Sequence, residues 1–489
     1  MVERPRARFV EVFLPASDQS APPAAATNSA TVSAGAPALA PPGYWEILRF
    51  TIPLMMGLLT HALHAVVDTA FVGRLGTAPL AALGIANIFY FTGVVLWLGL
   101  MRNSISFTAR AFGAGRRERI GEILAHYQWL ALSALPILWG LSLAFPYVAG
   151  LAGLPPAVTE FGMIYLAIRV FDVPFLLTQI LYGSFYQSIG NSRFPMIVSW
   201  GALLLNVVLD YGLIFGHFGL PALGVAGSAL ATLIAAAAGA AVIVGASYLG
   251  PCRGIYRLRL LVWPRWQLLR NILAVGVPQG LGDLVEIGAF LVFFTIVGRL
   301  GEVSLAANNI GIQVTHLMFM PGAAAGIAAA SYVGRFLGRG DPAAARGAAY
   351  RTAAIGIAYM GAMGLPLWFF GAAIARIFSV DPAVIALAVP LFKLMAIYQA
   401  FDGLGLIMRG ALNGAGDTRF PVAVSLVCAL GIMFPGAIWF STRVEPGLLG
   451  AWLGAAGYIV VYGLIVLYRF RRGRWATIRL AAAEHTTGQ

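Results

Sequence analysis

The string VGRLG stands at Val72–Gly76 and again at Val297–Gly301. The copies are 225 residues apart, from position 72 to position 297, and their neighbours keep the same step. Pro53 pairs with Pro278, Leu80–Ala82 with Leu305–Ala307, Arg110 with Arg335, Gly113 with Gly338 and Gly115 with Gly340. After one residue of slip, NSRFP at Asn191–Pro195 meets DTRFP at Asp417–Pro421, and Leu223-Gly224 meets Leu449-Gly450. A gapless register from Pro53 to Gly115 is hard to obtain by chance. The chain is a duplicated unit, so its fold is built twice from one plan.

Composition decides where that plan is realised. Of 489 residues, 60% are hydrophobic and 10% charged, and mean hydropathy is +0.82. A soluble domain carries about 25% charged residues. A helix crossing a bilayer needs roughly 20 apolar residues, and such runs recur throughout. The pattern predicts an all-α membrane protein with twelve transmembrane helices, six per half. The first six spans fall at 46–73, 79–111, 120–148, 157–189, 194–216 and 223–249. The second six fall at 266–298, 304–337, 344–373, 382–412, 420–441 and 447–470. Spans two, four, eight and ten are longer than a bilayer needs and must tilt or protrude. The expected organisation is a disordered cytoplasmic tail over 1–43, an N-terminal bundle over 44–250, a basic linker over 251–265, a C-terminal bundle over 266–471 and a cytoplasmic tail over 472–489. In a membrane protein, two such repeats commonly enclose a central site and move against each other in alternating access.

The net charge of +13 raises the question of nucleic acid. Its placement answers it. The arginines cluster in alternate loops: Arg116, Arg117 and Arg119; Arg193; Arg253 to Arg270; Arg339, Arg346 and Arg351; Arg419; and Arg469 to Arg479. The opposite loops hold little beyond Arg74, Arg299, Arg376 and Arg443. That is the positive-inside bias of a multi-pass protein of the cell (inner) membrane, and it places both termini in the cytoplasm. Residues 1–43 are rich in Ala, Pro and Ser and lack the apolar core of a signal peptide. Cys252 falls in a predicted loop and Cys428 inside a span, so neither a disulfide nor a metal cluster is indicated. No Gly-Lys-Ser phosphate loop is present, which argues against ATP as the energy source. No nucleophile, metal cluster or phosphate motif points to an enzyme, and no cofactor is expected beyond a coupling ion.

A charge at mid-membrane costs roughly 2.5–3.5 kcal/mol on insertion scales, so each one needs a reason. Asp68 lies in span one, fifteen residues after Pro53, from position 53 to 68. The proline permits a kink and is the candidate hinge. His64 lies one turn before Asp68 on the same face and is placed to share a proton with it. The alternative for Asp68 is a helix-end carboxylate satisfied by backbone. Asn206 and Asp210 project together from span five. They offer oxygen ligands to a hard cation, a proton site with a hydrogen-bond partner, or glue between packed helices. Arg169 and Asp172 in span four read as a structural ion pair. Arg102 in span two has no local partner and should meet an acid on another helix. Asp283 and Glu286 are one turn apart in span seven, and two such carboxylates in low dielectric should not both ionise. Asp402 stands in span ten. The 225-residue step sets Asp68 against Phe293 and Glu286 against His61, so the halves share a scaffold but not a charge pattern.

The strings VVDTAFVGRLGTAPLAALGIA, NVVLDYGLIFG…LPALGVAGSALAT and RGALNGAGDTRFP together resemble the multidrug and toxic compound extrusion (MATE) family, over roughly residues 45–470. LGLMRNSISFTARAFGAG and YLAIR are similar to its DinF-like branch, which carries an Arg in span two and a Tyr-Leu-x-Ile-Arg segment in span four. The resemblance implies two pseudo-symmetric six-helix bundles forming a V-shaped cavity. It implies a monomer exporting amphipathic, often cationic, drugs or metabolites against an inward flow of ions. The family's coupling Asp matches Asp68, and its first-lobe polar cluster maps onto Tyr165, Asn206, Asp210 and Thr232. The second-lobe acids of the sodium-coupled branch match Glu286 and Asp402. The branch resemblance and the His64–Asp68 spacing favour protons, with sodium as the alternative ion. A flippase of a lipid-linked oligosaccharide and a dedicated exporter of one metabolite are the alternative functions.

Overall fold

The computed structural model describes residues 41–478 and residue 480. The predicted N-terminal tail up to residue 40 lies outside them, as do residues 479 and 481–489. Eleven helices among the described residues are long and apolar enough to cross a membrane, and one bent pair makes a twelfth. We number them α1 (Tyr44–Val72), α2 (Thr77–Gly113), α3 (Arg117–Ser142 with Phe145–Leu151), α4 (Pro156–Ser188), α5 (Arg193–Phe215) and α6 (Val225–Leu249). The second half supplies α7 (Trp266–Gly298), α8 (Glu302–Gly338), α9 (Pro342–Phe378), α10 (Pro382–Gly414), α11 (Arg419–Ser441) and α12 (Gly447–Arg471). Helices α2, α4, α8 and α10 are long, as expected. So are α7, with 33 residues, and α9, with 37.

Each half is a six-helix bundle, and the two join in a V. Mid-span Ile88, Leu204, Leu291 and Leu317 are exposed, an apolar outer surface that only lipid satisfies. The interior divides into one cluster in the first lobe, centred on Phe107, Tyr127, Leu177 and Tyr186, and two in the second. The first helix of each half crosses the seam. Ile47, Phe50 and Leu54 at the start of α1 pack into a second-lobe cluster, while Val72 at its end belongs to the first lobe. Ile272 at the start of α7 packs in the first lobe, and Phe293 and Val297 in the second.

The lobes meet at the arginine-rich end. A Cβ on Gly113 of α2 would strike the backbone carbonyl of Arg335 on α8, and one on Gly338 would strike that of Arg110. Ser331 donates to the Gln187 carbonyl at 2.8 Å and Ser106 to the Asn413 carbonyl at 2.6 Å. The seam continues upward to Gly99 of α2 against Gly280 of α7.

The backbone breaks at places other than the expected hinge. Helix α1 runs through Pro53 as one helix. Breaks fall instead at Asn103 in α2, at a 42° bend between Ser142 and Phe145 in α3, and at the single turn Val170–Asp172 in α4. Phe370 leaves helical geometry in α9, and Ala429–Met433 forms a π turn in α11. The linker is not a free tether. Trp129 Nε1 on α3 donates to the Val262 carbonyl at 2.8 Å, Arg265 pairs with Glu122 at 2.7 Å, and the Arg265 amide reaches His126 Nε2 at 2.9 Å. The segment thus belongs structurally to the first lobe. Burial pushes the thiol of Cys252, at the start of this segment, up to about 11, so it stays protonated at neutral pH.

Candidate functional site

Five helices of the first lobe aim polar side chains at one buried point. Asp68 on α1 and Asp210 on α5 are 5% and 0% exposed, and their carboxyls stand against each other. Both Asp210 oxygens and Asp68 Oδ1 are buried with no hydrogen-bond donor. Buried acceptors without donors are costly. A proton or a cation between the two carboxyls supplies the missing partner. Arg169 on α4 faces Asp68 and hydrogen-bonds Tyr165. It also ion-pairs with Asp172, and its guanidinium lies 4.7 Å from the centre of the Tyr90 ring. Tyr90 of α2 donates to Asp172, and Tyr165 donates to Asn87 Oδ1 at 3.1 Å. The expected Arg169–Asp172 pair is therefore present, but it is also the floor on which Asp68 rests.

The other first-lobe candidates are close by with looser bonds. Asn206 is fully buried, and its Nδ2 lies 3.5 Å from Thr232 Oγ1, the outer limit of a hydrogen bond. Thr232 donates more firmly to the Ser228 carbonyl, at 3.0 Å. Asn206 Oδ1 has no donor. The Nε2 of His64 is buried and unpartnered. The one-turn spacing set the two side chains on one face, but the Asp68 carboxyl turns across to α5.

In the second lobe, Asp283 and Glu286 have a partner besides each other. A guanidinium that the sequence reading passed over lies between them. Arg409 on α10 donates through Nη2 to Asp283 Oδ1 at 2.5 Å and through Nη1 to Glu286 Oε2 at 2.9 Å. The planar guanidinium thus bridges the two carboxyls of α7 as a forked donor. Arg102 on α2 meets an acid of the other lobe as expected, Asp283 Oδ2 at 3.3 Å. Asp402 and Glu286 line a recess of about 40 Å³ together with Arg409, Tyr458, Tyr462 and Phe319. A sequence signal for Arg409 existed. It follows Asp402 by two helical turns, on the same face.

The MatE family profile matches residues 53–212 and 278–439, more than half of the chain. The chain belongs to the MatE family. The two matched segments begin at the repeated prolines, Pro53 and Pro278, so the MatE unit itself is what is duplicated. Among curated relatives, the probable multidrug resistance protein NorM of Burkholderia mallei is 33% identical over 437 residues, 87% of this chain and 92% of that protein. The probable NorM of Thermotoga maritima is 28% identical over 433 residues, 88% and 92% of the two chains. A solved structure described as the outward-facing conformation of a multidrug resistance MATE family transporter of the MOP superfamily superposes with a TM-score of 0.79 at 21% identity, covering 91% of this chain and 97% of that one. A MOP superfamily transporter from Pyrococcus furiosus, whose binding pocket is described as of reverse polarity, matches with the same TM-score, identity and coverage. As a MatE protein the chain is a membrane transporter and not an enzyme.

Proposed function

We propose that this chain is a multidrug antiporter that exports amphipathic, often cationic compounds from the cytoplasm in exchange for protons. The observation that carries the reading is the Asp68–Asp210 pair, two buried carboxyls that lack a donor and stand beside Arg169. A site of that kind binds and releases a proton as its water exposure changes. The relatives named NorM multidrug resistance proteins supply the substrate class. The first-lobe pattern follows the DinF-like branch, and Pro53 is the place where α1 would bend as Asp68 is protonated.

Topology follows from the arginines. With the arginine-rich loops and both termini in the cytoplasm of a cell-membrane protein, the closed seam at Gly113 and Gly338 is the cytoplasmic gate, and the conformation is outward-facing. The working units are the bundles 44–250 and 266–471, acting as a monomer with residues 251–265 as connector. One experiment tests the coupling ion. Purified protein in proteoliposomes, given pH and sodium gradients separately, should export a fluorescent organic cation on the pH gradient alone. Strict sodium dependence at fixed pH would overturn proton coupling.

A further inference from the structure

Three carboxylates, Asp283, Glu286 and Asp402, gather at one place in the second lobe, and apolar surroundings demand cations for them. Two of the three already have one. The Arg409 fork spans two residues, at 2.5 Å to Asp283 and 2.9 Å to Glu286. The Asp283 contact is made largely out of water, with Arg409 17% and Asp283 12% exposed, while Glu286 is 32% exposed; a planar guanidinium loses little freedom on binding either. Arg102 adds a longer contact at 3.3 Å and is 48% exposed, so solvent weakens its share. The recess beside them, about 40 Å³, has room for a water or a bare ion.

We propose that Arg409 is a tethered counter-cation that occupies a second-lobe cation site and keeps mobile sodium out of it, so that Arg409 sets the ion selectivity of this lobe. The inference rests on the proton-driven reading centred on Asp68 and Asp210, and deepens it. Removing one partner of a buried ion pair leaves charges that recruit another cation. Vacated by Arg409, the site presents carboxylate oxygens from Asp283 and Glu286, with Asp402 across the recess, and oxygen donors suit a hard cation.

The test is thermal unfolding of the purified full-length protein in sodium chloride or choline chloride at equal ionic strength. A ligand that binds only the folded form raises the midpoint with its concentration. The wild type should unfold at the same temperature in both salts. Arg409→Gln should unfold earlier in choline and recover by several degrees in sodium. Adding Asp283→Asn and Glu286→Gln should abolish that recovery. Arg409→Lys holds one carboxylate at a time and should recover less than Arg409→Gln. It carries the test if the Gln variant fails to insert. Equal midpoints in both salts for the Arg409 variants overturn the proposal. So does a wild-type sodium gain that vanishes with Asp283→Asn and Glu286→Gln. A wild-type gain lost instead in Asp68→Asn, with a further gain in Arg409→Gln, upholds Arg409 and overturns proton coupling alone.

Discussion

At the scale of single residues, the two lobes solve the problem of buried acid in different ways. The second lobe brings its own guanidinium. The first leaves Asp68 and Asp210 facing each other with oxygens that no protein donor reaches. If one proton is held between the pair, the two residues act as a unit, and residues that act as a unit are grossly non-additive under mutation. Asp68→Asn should therefore abolish gradient-driven export while the protein still inserts. Asp210→Asn should do nearly the same, and the double variant should be no worse than either single one. Transport rates in proteoliposomes, with reconstituted protein matched by amount, check this. Additive losses would mean that the carboxyls work separately. The acids themselves were legible in the sequence, since a charge in an apolar run stands out. Their partners were not. That Asp68 turns toward α5 rather than toward His64, and that Arg409 reaches back to α7, depends on distances between helices that no spacing along one helix encodes.

At the scale of elements, hydropathy and the repeat located all twelve spans, but not where their backbones break. Breaks at Asn103 and Phe370 carry no proline at the break itself, and the proline that was expected to kink α1 does not break it. The turn Val170–Asp172 is different, because Pro174 just after it removes the ladder bond to the Val170 carbonyl. The repeat carried a further meaning that appears only in three dimensions. Arg110 and Arg335, and Gly113 and Gly338, are equivalent by sequence and meet one another where α2 crosses α8. Each glycine lets its helix approach the backbone of the partner's arginine, as small residues do at close crossings. Overpacking a tight contact costs roughly 1–3 kcal/mol, and each 1.4 kcal/mol is about tenfold in an equilibrium. Gly113→Ala and Gly338→Ala should each shift the closed seam toward an open one by about tenfold. Spin labels on cysteines at the exposed repeat-equivalent positions Arg193 and Arg419 should report a longer separation in both variants. An unchanged distance distribution would show that the crossing yields locally instead.

At the scale of the whole molecule, the arginine-rich end is spanned by a segment that the sequence suggested was only a tail. After α12 the chain makes a short turn, Arg474–Thr477. Trp475 is fully buried there, stacked on Phe470 at 4.6 Å within the second lobe, with its Nε1 on the Phe470 carbonyl at 2.7 Å. Five residues later, from 475 to 480, Leu480 is buried in the first-lobe cluster. Between them Arg110 of α2 donates to the Ile478 carbonyl at 2.7 Å and to the Ala415 carbonyl at 2.9 Å. The segment is a strap across the seam, anchored on both lobes, and any opening at this end would require it to release or follow one lobe. Losing a buried tryptophan costs about 3–5 kcal/mol, enough to free the strap while the bundles persist. Trp475→Ala should then raise the rate at which a thiol reagent labels a cysteine at Ser331, a seam position bonded to Gln187. The native Cys252 and Cys428 are buried and give little background. Faster labelling at temperatures well below the unfolding midpoint, which the lost burial itself lowers, assigns the strap to gating. A lowered midpoint with unchanged labelling would reduce Trp475 to an anchor for α12 alone.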